Sequence, residues 1–136
     1  MTTHPAATGA PSYSESLPCQ ADSARRARLL VTVACHTWGL PRLVVPGILV
    51  ISELVGNAVE HTRSRQIEIV VSRPQPERLR VAVADNSRTR PTPRTAASDD
   101  EHGRGLAVIG ALADAWGTDP LPWGKRVWAD LHTGAG

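Results

Sequence analysis

The chain has no phenylalanine, one tyrosine, one methionine and, in Lys125, a single lysine among its 136 residues. Aromatic side chains make up 4% of it, yet 41% is apolar. The apolar mass is therefore carried by Ala, Val and Leu, and the core is expected to be aliphatic. The two cysteines, Cys19 and Cys35, lack metal-ligand spacing, which argues against a zinc site. No secretory leader is visible, because "MTTHPAATGAPSYS" has neither a basic start nor an apolar run. A reduced, cytoplasmic protein is the simplest expectation. No run is judged to reach the roughly 18 apolar residues of a membrane span, so a soluble chain is expected. No internal repeat is visible.

Charge of one sign is scarce as well. Fifteen basic residues stand against 13 acidic ones, a net of +2, and all but Lys125 are Arg. Arg25, Arg26, Arg28 and the arginines of 88–94 are spread out and lack interleaved aromatics. A nucleic-acid surface is not expected from such a pattern.

What is present reads as one domain preceded by a short segment. Residues 1–13 are small, polar and Pro-containing, which predicts disorder; 14–136 is the size of a single domain. "YSESLP" alternates like a strand. "ADSARRARLLVTVACHTWGL" has helical spacing, with Asp22 or Ser23 as cap and Gly39 as stop. "RLVVPGILVISELVGNAVEHT" is too long for a strand and predicts a helix that begins near Pro46–Gly47 and ends near His61. "QIEIVVSR" and "RLRVAVADN" form a hairpin signal about "PQPE". Residues 88–102 have no apolar period and read as a mobile loop, long enough for a function to be suspected. "GRGLAVIGALADAWG" opens a helix with Leu106, Ile109, Gly110 and Ala113 on one face, and "KRVWADLH" is a strand. This order predicts an α+β fold, a two-layer α/β sandwich with helices on one face of a mixed sheet.

Three places carry chemistry. In "ISELVGNAVEH", Glu53 and Asn57 are four apart, so on a helix a carboxylate and an amide lie one above the other. That face is either solvent or the wall of a polar site, and the helix alone does not choose. Asp85 ends an apolar strand in "LRVAVADNS", where a carboxylate either caps a turn or faces a ligand. "HGRGL" puts glycines on both sides of Arg104 ahead of a helix. Free N–H groups at a positive dipole end suit a phosphate, although glycine also begins helices for conformational reasons.

Taken in order, Glu-x-x-x-Asn on a helix, Asp after a strand and Gly-x-Gly after a long loop resemble the nucleotide site of the GHKL superfamily. Within it, "ELVGNAVEHT", "VADNS", "GRGLAVIGALADAWG" and "KRVWADL" look most like the small ATP-binding proteins related to the anti-sigma-factor serine/threonine kinases of actinobacteria. The resemblance covers roughly residues 13–131. It departs from the usual pattern at Asp85-Asn86-Ser87, where relatives have Asp-x-Gly, and at Arg126, where relatives often have Thr.

The resemblance implies the Bergerat ATP-binding fold with ATP and Mg²⁺ as cofactors. It implies Glu53 as the catalytic residue acting on the hydroxyl of a partner's serine. Asn57 would supply an oxygen to Mg²⁺, and Asp85 would accept the adenine amino group. Gly103, Arg104, Gly105 and Leu106 would cradle the phosphates beneath a lid formed by 88–102. His61, inside the helix motif, is read as a helix-end histidine. The implied partners are a sigma factor and an anti-anti-sigma-type antagonist, with a homodimer as a family expectation and neither nucleic acid nor membrane. The opposed reading is a partner-switching module that keeps the fold without the chemistry.

Overall fold

The computed structural model describes residues 2–5, 10–62, 64–86 and 101–133. Six strands and three helices follow in the order β1 (Thr2–Pro5), β2 (Pro11–Pro18), α1 (Ser23–Thr37), a 3₁₀ turn (Pro41–Leu43), α2 (Val44–His61), β3 (Gln66–Gln75), β4 (Arg78–Asp85), α3 (Glu101–Leu112), β5 (Ala115–Leu121) and β6 (Gly124–His132). The sheet runs β1-β2-β3-β4-β6-β5. The α+β sandwich is as expected, but the expected mixed sheet is not: every pairing is antiparallel. Helix α3 leads into β5 at the sheet edge, and the β5–β6 hairpin turns the chain back so that β6 lies beside β4 in the opposite direction. The segment expected to be disordered also differs. Thr2–Pro5 pairs with Ser14–Pro11 and extends the sheet edge, because backbone pairing needs no apolar side chains.

Helix α1 ends as its glycine predicts. Gly39 has φ +67°, a left-handed conformation that costs a residue without Cβ little. Leu40 N–H donates to Cys35 O at 2.8 Å and Gly39 N–H to His36 O at 3.4 Å, the two bonds of a Schellman stop. The start is different: Asp22 makes no side-chain cap bond, and Ser23 Oγ donates instead to Pro18 O at 2.6 Å, tying the helix to β2.

Helix α2 starts at Val44, earlier than its Pro46 suggests. A first-turn proline has no intrahelical N–H bond to lose, so the helix accommodates it. Gly47 has a packing reason: a Cβ there would lie 2.9 Å from Val31 Cγ1 and 3.3 Å from Leu79 Cδ2. Helix α2 thus presses closely on α1 and β4, and it also packs on α3 and β6. The stretch Pro41–His61 is long and apolar enough to cross a membrane by composition, with mean hydropathy 1.6, contrary to the expectation that no run is. Val50, Ile51, Leu54 and Val55 are instead buried within the fold.

The core is aliphatic, as the composition predicts; Ile51, Leu54, Ile67, Ile69, Leu79 and Leu131 are among its largest fully buried members. Strand β4 turns Leu79, Val81, Val83 and Asp85 inward. Its other face carries Arg80, whose guanidinium grips Asp130 through Nε (2.6 Å) and Nη2 (2.9 Å) and stacks 4.7 Å over Trp128. Strand β3 runs past Pro74 with an irregular register between Ser72 and Gln75, where a missing N–H is tolerated.

Two outcomes follow from this packing. A Cβ at Gly124 would meet Asp85 O at 1.9 Å, whereas Gly56 has open space. Gly124→Ala is therefore expected to destabilise by roughly 1–3 kcal/mol or more, and Gly56→Ala to stabilise by about 0.5–1 kcal/mol, both read by urea unfolding. Burial pushes the Cys35 thiol from 9.0 to about 11. The unfolded chain ionises first, so this group lowers stability as pH rises from about 9 to 11 and has no such effect below that window. The alkaline slope of the melting temperature should be shallower in Cys35→Ala than in the wild type.

Candidate functional site

Glu53 and Asn57 sit on α2 with the predicted four-residue spacing. The structure resolves the choice left open by the helix alone only in part: Glu53 is half-buried, and Asn57 is 8% exposed. An amide held among Leu54, Val55 and Ala58 is costly to desolvate unless it has polar company. His61 lies in the last turn, where a basic group complements the dipole.

Asp85, at the inner end of β4, is 2% exposed. Directly opposite in register is Lys125, itself 4% exposed, whose Nζ donates to Asp85 Oδ1 at 3.3 Å. Facing residues of an antiparallel pair project to one side, so the only lysine of the chain meets the carboxylate. Arg126 faces Ala84 and Asp119 and therefore lies on the opposite side of the sheet. The departure at 126 does not touch Asp85, and the residue that matters is its neighbour. Gly124 completes the arrangement, since no side chain fits beside the Asp85 carbonyl.

Asn86, which follows Asp85, is held from the end of α2. Its N–H donates to Ser64 Oγ at 2.7 Å, Ser64 Oγ–H donates to Asn86 Oδ1, and Thr62 Oγ1 reaches the same oxygen at 3.4 Å. Side-chain bonds thus join the end of α2 to the end of β4; Ser87, where the resemblance departs from glycine, lies outside the described residues.

Cys19 was not singled out as a site residue. It lies just after β2 with its Sγ–H directed at Ala58 O, 3.8 Å away. Its thiol is held above the ordinary value by burial and, secondarily, by the negative charge of Asp85. One neighbourhood therefore contains Cys19, the residue after Asn57, and Asp85. No spacing rule could have found Cys19; that the chain has a single lysine was the visible signal for Lys125.

The glycine motif is placed differently from the expectation. Helix α3 begins at Glu101, so Gly103, Arg104, Gly105 and Leu106 lie within its first two turns rather than ahead of it. The helix takes in the last two residues of the expected loop. Helix α3 packs on α2 and β5, which brings the motif's helix to the helix of Glu53 and Asn57. The proposed lid, 88–102, falls outside the described residues except for its last two positions.

A family model described as "Histidine kinase-like ATPase domain" matches residues 17–129. The match spans both α2 and Asp85 and most of the chain. The protein belongs to that family, within the GHKL superfamily, which supports an ATP-binding, kinase-like ATPase function. A search of curated proteins returned no match.

The buried pair makes a stability forecast. Removing one partner strands the other charge, so Asp85→Ala is expected to cost roughly 3–5 kcal/mol, while Asp85→Ala with Lys125→Met together should cost less than the sum of the two single losses. A double-mutant cycle by thermal unfolding measures the coupling. Additive losses would mean that the pair is already solvated.

Proposed function

We propose that the protein is a cytoplasmic ATP-dependent serine/threonine kinase of the anti-sigma-factor type. It would transfer the γ-phosphate to a Ser or Thr of an antagonist protein and hold a sigma factor on another surface. The observation that carries this reading is the pairing of Glu53 with the buried Asn57 on one helix packed over the strand that ends in Asp85.

The donor set suits the implied cofactors. Among the described residues no cluster of three His, Cys, Asp or Glu could hold a metal by itself. Mg²⁺ would then take one protein oxygen, from Asn57, with phosphates and water completing its shell, as a hard, strongly hydrated cation does. The buried Asp85 carboxylate would accept the adenine amino group, and Lys125 would keep that carboxylate oriented. Gly103, Arg104, Gly105 and Leu106 would lie against the phosphates. Glu53, half-buried one turn before Asn57, would accept the proton as the partner's hydroxyl oxygen attacks phosphorus and the bridging oxygen leaves with ADP.

One observation favours a second reading. Adenine must share Asp85 with Lys125 Nζ, 3.3 Å away; a chain that binds nucleotide weakly, or not at all, would act as a partner-switching module without transfer.

Calorimetry with ATP, with and without Mg²⁺, separates these. For the kinase, wild type binds, Asn57→Ala loses the Mg²⁺ dependence, and Asp85→Asn weakens binding at least tenfold, about 1.4 kcal/mol. Glu53→Ala should retain ATP binding while phosphotransfer to a purified antagonist falls by roughly 10²–10⁴-fold. Binding without transfer to any antagonist in the wild type would establish the module instead.

A further inference from the structure

A groove of about 780 Å³ lies between α1 and α2 on their outer side. It uses the arginines that no nucleotide function absorbs. Leu29 from α1 and Ile48 from α2 form its apolar part. Leu29 is 49% exposed, and the surface continues along α2 through Val45 and Leu49, which are 63% and 48% exposed. These two are four residues apart and share a helical stripe with Ile48. Apolar side chains grouped in this way, rather than scattered singly, mark an interaction surface.

The rim is basic. Arg25 and Arg28 border the groove together with Arg26. Arg26 is held by Glu15 at 2.9 Å, and Arg28 Nη1 donates to Ser52 Oγ at 3.3 Å, which fixes the guanidinium across the gap between the helices. Asp22 is the one acid among the lining residues. The first turn of α1 adds its positive dipole end to the same side.

We infer that this groove docks an acidic amphipathic helix of a partner protein, its apolar stripe on Leu29, Ile48, Val45 and Leu49 and its carboxylates on Arg25 and Arg28. Helix-in-groove recognition needs an apolar channel with charge on its rim, and both are present. A second copy of the chain fits poorly, because a two-fold contact would set these arginines against one another. Single-stranded nucleic acid lacks the aromatic platforms it stacks on, since the floor is aliphatic. The inference does not depend on nucleotide binding or on transfer.

The probe is a synthetic, fluorescein-labelled helix of about 18 residues, five turns, with Leu at helical i, i+3, i+4 and i+7 positions and Glu elsewhere. Lys-for-Glu and scrambled-Leu versions serve as controls, and binding to the full chain is followed by fluorescence anisotropy. The Glu helix should bind, the controls should not, and Leu29→Ser or Arg25→Glu should each weaken binding about tenfold or more. Both positions are on the surface, so unchanged melting and unchanged ATP titration show that the variants are folded. No binding by the Glu helix, equal binding by the Lys helix, or indifference to both substitutions overturns the proposal. So does tighter binding to a DNA oligonucleotide or to anionic vesicles through the same residues, or a concentration-dependent dimer that Leu29→Ser abolishes.

Discussion

The close approach of α2 to α1 and β4 at Gly47 sets the height of everything built on that helix. With no Cβ at this point, Val31 and Leu79 occupy the space a side chain would need, and the helix settles onto the sheet through Val50, Ile51, Leu54 and Val55. Burial of this stripe is the main force on the element, and it is non-directional. What gives it direction is the 3.6-residue period, which rotates Asn57 into the protein and leaves Val45 and Leu49 outside. One helix therefore serves two surfaces, one that buries Asn57 and one that presents Val45 and Leu49 to solvent.

The other end of the site depends on electrostatics rather than packing. Asp85 and Lys125 are both withdrawn from water, and each makes the burial of the other tolerable. Their meeting follows from the antiparallel register of β4 and β6, with Gly124 leaving the room the β4 carbonyl requires. The hydroxyls of Thr62 and Ser64 then hold Asn86, so the residue after Asp85 is tied by side chains to the end of α2. A buried carboxylate placed this way is oriented before any ligand arrives, which lowers the ordering cost of binding.

Much of this was legible in the chain. The 3.6 period of 44–61, the glycine stop at 39, the hairpin of β3 and β4 and the ordered motifs sufficed for the fold class, for the shared face of Glu53 and Asn57 and for Asp85 at a strand end. The start of α3 was misread because glycine weakens a helix locally, while the packing of Ile109 against the core extends it backward through Gly103 and Gly105. The first strand was missed because sheet-edge pairing is a backbone property that leaves no apolar pattern.

Sequence by itself determined periodicity, and hence which residues share a face, and it supplied the order of motifs that identifies the family. Tertiary structure alone decided which side chains meet across strands and helices: that Lys125 rather than Arg126 faces Asp85, that Cys19 lies against Ala58, and that Leu29 and Ile48 border one groove. Such contacts arise from register and interhelical distance. Both are set by the summed packing of residues far apart in the chain, and no local spacing encodes them.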